Sequence, residues 1–95
     1  MATLNRADAE SRLHELPGWT IDGNAIRKQF VFKDFPSAVD FVSRLVPGAE
    51  AADHHPDISI NYRRVTLTYT THSEGGLTEK DFAGAAIAER VFNRS

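Results

Sequence analysis

With 95 residues, 41% of them hydrophobic and 25% charged, the chain can bury one core and is too short for two, so a single domain over residues 1–95 is expected. A formal net charge of −2 and an isoelectric point near 6.0, with basic residues scattered along the chain, argue against a nucleic-acid-binding protein. The absence of cysteine excludes a disulfide framework, a thiolate zinc site and a cysteine nucleophile, and no apolar run approaches the ~20 residues of a membrane helix.

Asn5 is placed to cap a first helix running to about His14, with Asp8 and Glu10 early, where the helix dipole favours acids. Leu16-Pro17-Gly18 ends it. Trp19-Thr20-Ile21 and the alternating Ile26, Lys28, Phe30 and Phe32 flank the turn-forming Asp22-Gly23-Asn24, which predicts a β-hairpin. Asp34 can cap a second helix starting at Phe35 or Pro36. Ala38, Phe41, Val42, Leu45 and Val46 then form a helical apolar stripe expected to be buried.

Pro47 cannot donate to the carbonyl of Ser43, so this helix is expected to kink, or to stop and restart over Ala49–Asp53. Ile58–Tyr62 and Val65–Thr71 alternate strictly, with Arg63-Arg64 as the turn between them. Ser73-Glu74-Gly75-Gly76 reads as a flexible loop. Thr78-Glu79-Lys80-Asp81 resembles a capping box, with Leu77 and Phe82 as its hydrophobic staple, before an alanine-rich helix to about Phe92. The predicted fold is α+β, of order α-β-β-α-β-β-α: a four-stranded antiparallel sheet covered on one face by helices. The first residues hold no hydrophobic segment of signal-peptide length, so the cytoplasm is the expected location.

Three of the four histidines sit where strands begin and end. His54-His55-Pro56 leads into the third strand and His72 closes the fourth, so antiparallel pairing returns His72 toward the end of the sheet where His54 and His55 enter. Glu50, Asp53 and Asp81 add carboxylates. An imidazole's ordinary pKa of about 6.5 keeps both protonation states accessible near neutrality. Two imidazoles can therefore divide a dehydration, one protonating the departing hydroxyl and one accepting a proton from the neighbouring atom. Ser73 and Thr71 are possible nucleophiles, but no nucleophile-elbow motif surrounds them.

Other readings stay open. His54-His55-Pro56 can be a polar helix-to-strand turn, Asp81 a helix cap, and Glu50 and Asp53 solvated helix residues. A metal site from His54, His55 and His72 is the weaker option, since adjacent residues on an extended segment point apart and no H-x-x-x-H spacing is present. His14 reads as a surface residue, and Trp19, Phe30, Phe32, Phe41 and Phe82 as core.

The run Glu50-Ala51-Ala52-Asp53-His54-His55-Pro56-Asp57, followed by Tyr62, Val65, Thr71-His72, Gly76-Leu77-Thr78 and Asp81, resembles the motif of the pterin-4a-carbinolamine dehydratases. Leu16-Pro17-Gly18-Trp19 and Phe32-Lys33-Asp34-Phe35 extend the resemblance over nearly the whole chain. It implies a 4a-hydroxytetrahydrobiopterin dehydratase that converts 4a-hydroxytetrahydropterin to quinonoid dihydropterin, recycling the pterin of aromatic amino acid hydroxylases. It further implies that the pterin enters as substrate with no cofactor or metal, and that the protein is a homodimer or homotetramer.

Carried over, His54, His55 and His72 would be catalytic, with His54 as base and His72 as acid. His54-His55-Pro56 and Thr71-His72-Ser73-Glu74 would line the pterin pocket, with Glu50, Asp53 and Asp81 as supporting carboxylates. Ile58 stands where animal members carry a tryptophan, and Lys80 where arginine is common. Pro47-Gly48 interrupts a helix that members commonly run through. Related chains also serve as transcriptional cofactors or assembly factors, so a dehydratase-like scaffold without enzymatic role is the alternative.

Overall fold

The computed structural model describes residues 3–94. Helix α1 (Arg6–Leu13) starts where the Asn5 side chain accepts the Asp8 amide at 2.8 Å. The strands β1 (Thr20–Asp22) and β2 (Ala25–Val31) form the first hairpin. Asp34 caps α2 (Phe35–Ala52) by accepting the Ser37 amide at 2.9 Å. The second hairpin joins β3 (Asp57–Asn61) to β4 (Arg64–Tyr69), and α3 (Glu79–Asn93) closes the chain. All strand pairs are antiparallel in the order β1-β2-β4-β3. The α-β-β-α-β-β-α order and the helix-covered four-stranded sheet are those the sequence predicts.

The core lies between the sheet and the helices. Ile26 faces Tyr69 and Phe30 faces Val65 across β2 and β4, and Phe41, Leu45, Phe82, Ala85 and Ala88 cover them from α2 and α3. Lys28 shares that inner face of β2 with Ile26 and Phe30. Its ammonium is satisfied by Glu89 at 2.7 Å and the Pro17 carbonyl at 3.1 Å, while Trp19 Nε1 donates to the same Glu89 oxygen. A cation on a core-facing position is tolerated because it is paired and hydrogen-bonded.

Four local expectations are corrected. Helix α2 runs through Pro47 to Ala52 as one element rather than stopping and restarting. Its turn after Pro47 is held against α3, where a Cβ on Gly48 would come within 2.9 Å of Ile87 Cγ2. Val46 is 53% exposed: the line Ala38, Phe41, Leu45 buries one face, and the residue after Leu45 is turned about 100° away from it.

The tight turn is Tyr62-Arg63 rather than Arg63-Arg64, since Arg64 pairs with Asn61 and Tyr62 takes the left-handed conformation (φ 57°). Arg63 is tied down by exchanging hydrogen bonds with the Phe32 backbone. Finally, residues 73–76 are not a loose loop. His72–Glu74 form a 3-10 turn, Thr71 bridges Gly76, and Gly75 (φ 73°) closes the turn onto the Thr71 and His72 carbonyls. As a consequence β4 ends at Tyr69, and His72 stands on this turn instead of ending the strand.

Candidate active site

Helix α2 ends at Asp53, whose left-handed backbone (φ 51°) lets the next amide, that of His54, bond back to the Ala49 carbonyl at 3.2 Å. This fixes where the His54 side chain leaves the main chain. Its Nε2 lies 2.6 Å from Asp81 Oδ1, with the imidazole side chain 12% exposed and the carboxylate wholly buried. Asp81 sits in the first turn of α3. Its other oxygen accepts the Thr71 hydroxyl at 2.8 Å and the Thr78 amide at 3.0 Å. The capping box read from the sequence is thus present, and the same carboxylate also receives the histidine.

The donors order themselves along this network. Thr71 gives its one hydroxyl proton to Asp81, so its contact with Thr78 Oγ1 at 2.9 Å takes the proton from Thr78. Thr78 Oγ1 in turn accepts the Lys80 amide. Among the described residues, every buried side-chain nitrogen and oxygen has a partner. With Asp81 taken as the carboxylate, His54 Nε2 is the donor in the shared bond. Nδ1 is then the ring nitrogen left for exchange.

Tyr69 lies beneath this pair. Its ring stacks on His54 with centroids 6.1 Å apart and an interplanar angle of 26°. Burial pushes its phenol up to about 12, and the nearby charge of Asp81 adds to the shift. Neither Tyr69 nor Thr78 stands out as a site residue from the sequence. The available signal is the alternation of β4, which puts Val65, Leu67, Tyr69 and then Thr71 on the helix-facing side, where all four are buried.

The remaining expected residues are distributed around this centre. His55 is exposed and pairs through Nε2 with Glu50 at 2.5 Å. Asp53 is exposed at the helix end and Pro56 half-buried. His72, Ser73 and Glu74 are exposed on the 3-10 turn. His72 borders an open cavity of about 280 Å³ with Asn24, Ala25, Thr70, Gly75 and Gly76. Neither His54 nor His55 lines that cavity. The link between the two parts is Thr71, whose side chain holds Asp81 and whose next residue is His72. The structure therefore joins His54, Asp81 and Thr71 directly, joins His55 to Glu50 separately, and sets His72 one residue beyond the network. Among the described residues, no three His, Asp or Glu side chains converge on a point that could hold a metal ion.

The family model for pterin 4 alpha carbinolamine dehydratase matches residues 2–91. A protein of Roseiflexus sp. (strain RS-1), provisionally named a pterin-4-alpha-carbinolamine dehydratase, is 58% identical over 92 residues, covering 96% of this chain and 99% of its own. One from Roseiflexus castenholzii with the same provisional name is 53% identical over 90 residues, covering 95% and 97%. Among solved structures, a transcriptional coactivator/pterin dehydratase from Brucella melitensis superposes with a TM-score of 0.89 at 38% identity over 94% of this chain and 97% of that one. A pterin dehydratase-like RuBisCO assembly factor of the alpha-carboxysome shares the fold alone, with a TM-score of 0.62 at 22% identity over 77% and 84%. On these matches the chain belongs to the pterin-4a-carbinolamine dehydratase family.

Proposed function

We propose that the protein is an enzyme that dehydrates 4a-hydroxytetrahydropterin to quinonoid dihydropterin by histidine acid–base catalysis. The observation that carries this reading is the His54–Asp81 contact: a nearly buried imidazole whose Nε2 is committed to a fixed carboxylate, with Nδ1 left to take a proton. A helix cap needs only one of the Asp81 oxygens, and the second is spent on orienting a histidine.

In the reaction, the C4a–O bond breaks as the hydroxyl takes a proton and departs as water. The neighbouring ring nitrogen gives up its proton, and the freed pair closes the carbon–nitrogen double bond. His54 Nδ1 is the base for that nitrogen, and His72, on the exposed turn, the acid for the hydroxyl. His55, held by Glu50, and the His72-Ser73-Glu74 turn flank the substrate, with Pro56 and Asp53 at the helix-to-strand junction. The pterin is the substrate and no further cofactor takes part. On this reading the product is reduced for reuse by an aromatic amino acid hydroxylase, and the protein works in the cytoplasm as a homodimer or homotetramer.

A second reading, a scaffold or assembly factor, draws on β3. This edge strand leaves Ile58 and Ile60 exposed. The deciding experiment follows dehydration of freshly generated 4a-carbinolamine with and without the protein. Acceleration over the spontaneous rate is expected; equality with that rate leaves the scaffold reading in its place.

A further inference from the structure

We infer that Tyr69 is a positioning residue that sets the plane of the His54 ring; the inference rests on the reading of His54 as a base. The covalent bond at Cβ and the hydrogen bond from Nε2 to Asp81 fix the two ends of the imidazole but still let the ring rock about the line that joins them. A further restraint is needed to fix the ring plane, and hence the direction of the Nδ1 lone pair. The Tyr69 ring supplies it, lying 6.1 Å from His54 at an interplanar angle of 26°, within the range of offset aromatic stacking.

Tyr69 is itself held rigidly. It is 3% exposed, and Trp19 tilts against it with centroids 5.9 Å apart. Helix α3 also presses on it at Gly84, where a Cβ would fall 2.5 Å from Cε1 of the tyrosine. The glycine is thus the space in which this ring fits. Both restraints on His54 come from the same region of α3: Asp81 fixes the nitrogen, and Gly84, three residues on, admits the ring that fixes the plane. A flexible aliphatic side chain beneath the helix presents no flat face for the imidazole to lie against.

The test compares Tyr69→Phe, which keeps the ring, with Tyr69→Leu, which keeps the bulk. Tyr69→Met is the substitute, should the leucine variant fail to fold, because its unbranched chain adapts to irregular space. Two readouts are taken: kcat and KM for dehydration, and the nuclear relaxation of the His54 ring C–H pairs, which reports how far the ring plane rocks. Tyr69→Leu or Tyr69→Met is expected to lower kcat by about tenfold to 100-fold with little change in KM. Either should also raise the mobility of the His54 ring, while Tyr69→Phe retains the wild-type mobility and rate. In a His54→Ala background the substitutions at Tyr69 should cost no further rate.

Wild-type ring mobility and kcat in the aliphatic variants would overturn the inference, as would a Tyr69→Phe variant as impaired as Tyr69→Leu. If the wild-type protein gave no acceleration, the dehydratase reading would fall by itself, and the ring relaxation would still decide whether Tyr69 orders His54.

Discussion

His54 and Asp81, twenty-seven residues apart, meet at 2.6 Å because the end of α2 and the first turn of α3 are brought together over β4. The carboxylate serves two purposes at once, satisfying an orphan amide of its own helix and orienting a histidine from another element. Stability and the proposed chemistry are therefore coupled through one side chain.

Replacing Asp81 by Asn tests that coupling. The amide has only one acceptor oxygen, so an NH₂ group must face at least one of the three present donors. Unfolding in urea should show a loss of about 2–4 kcal/mol, accompanied by a fall in dehydration rate. Full stability with full activity would show that neither duty falls on this carboxylate.

Thr71 isolates the network from the cap. Thr71→Val keeps the shape but removes the hydroxyl that donates to Asp81 and accepts from Thr78, and should cost about 1–3 kcal/mol. Thr71→Ser keeps the hydroxyl and should lie within about 1 kcal/mol of wild type. Equal losses in the two variants would shift the cause from hydrogen bonding to packing. Denaturant midpoints at constant m-value give the comparison.

Gly84→Ala places a methyl group where the Tyr69 ring lies. Alanine gains about 1 kcal/mol over glycine in helix propensity, but the ring must move, and overpacking of this kind costs about 1–3 kcal/mol. A net loss of thermal stability is expected. An increase would mean that propensity outweighs the clash and that Tyr69 yields freely.

Alkaline pH should weaken the fold through Tyr69. Its phenol is raised from 10.0 to about 12 in the folded protein, by burial first and by the charge of Asp81 second. Below about pH 10 the ring is neutral whether folded or unfolded, and its full contribution is present. Between pH 10 and about 12 the unfolded chain ionises while the folded one does not, so stability falls by about 1.4 kcal/mol per pH unit. The loss levels off above the folded value. Denaturation series across this range should show that slope in the wild type and its disappearance in Tyr69→Phe; the same slope in both would assign the effect elsewhere.

Much of this was legible in the sequence because the fold rests on local chemistry. The caps at Asn5, Asp34 and Thr78 and the alternation of Val65, Leu67 and Tyr69 act over a few residues, and the structure places each as the pattern implies. The site was legible in its residue types but not in its pairing. Asp81 is explained locally by its cap, so nothing in its spacing announces that its second oxygen meets His54. Strand alternation extended past Tyr69 puts His72 at a strand end. Backbone hydrogen bonds among Thr71, Gly75 and Gly76 instead curl the chain into a 3-10 turn, which no side-chain periodicity encodes. Pro47 shows the same limit, since the close approach of Gly48 to Ile87 of α3 is a tertiary contact that the local pattern does not encode.

The most direct test of the account is the dehydration rate of His54→Ala relative to wild type, with binding of a non-reactive pterin analogue measured on the same samples. The account predicts a loss of about 10²–10⁴-fold in rate with analogue binding retained. A His54→Ala protein that dehydrates the carbinolamine as fast as wild type would contradict it.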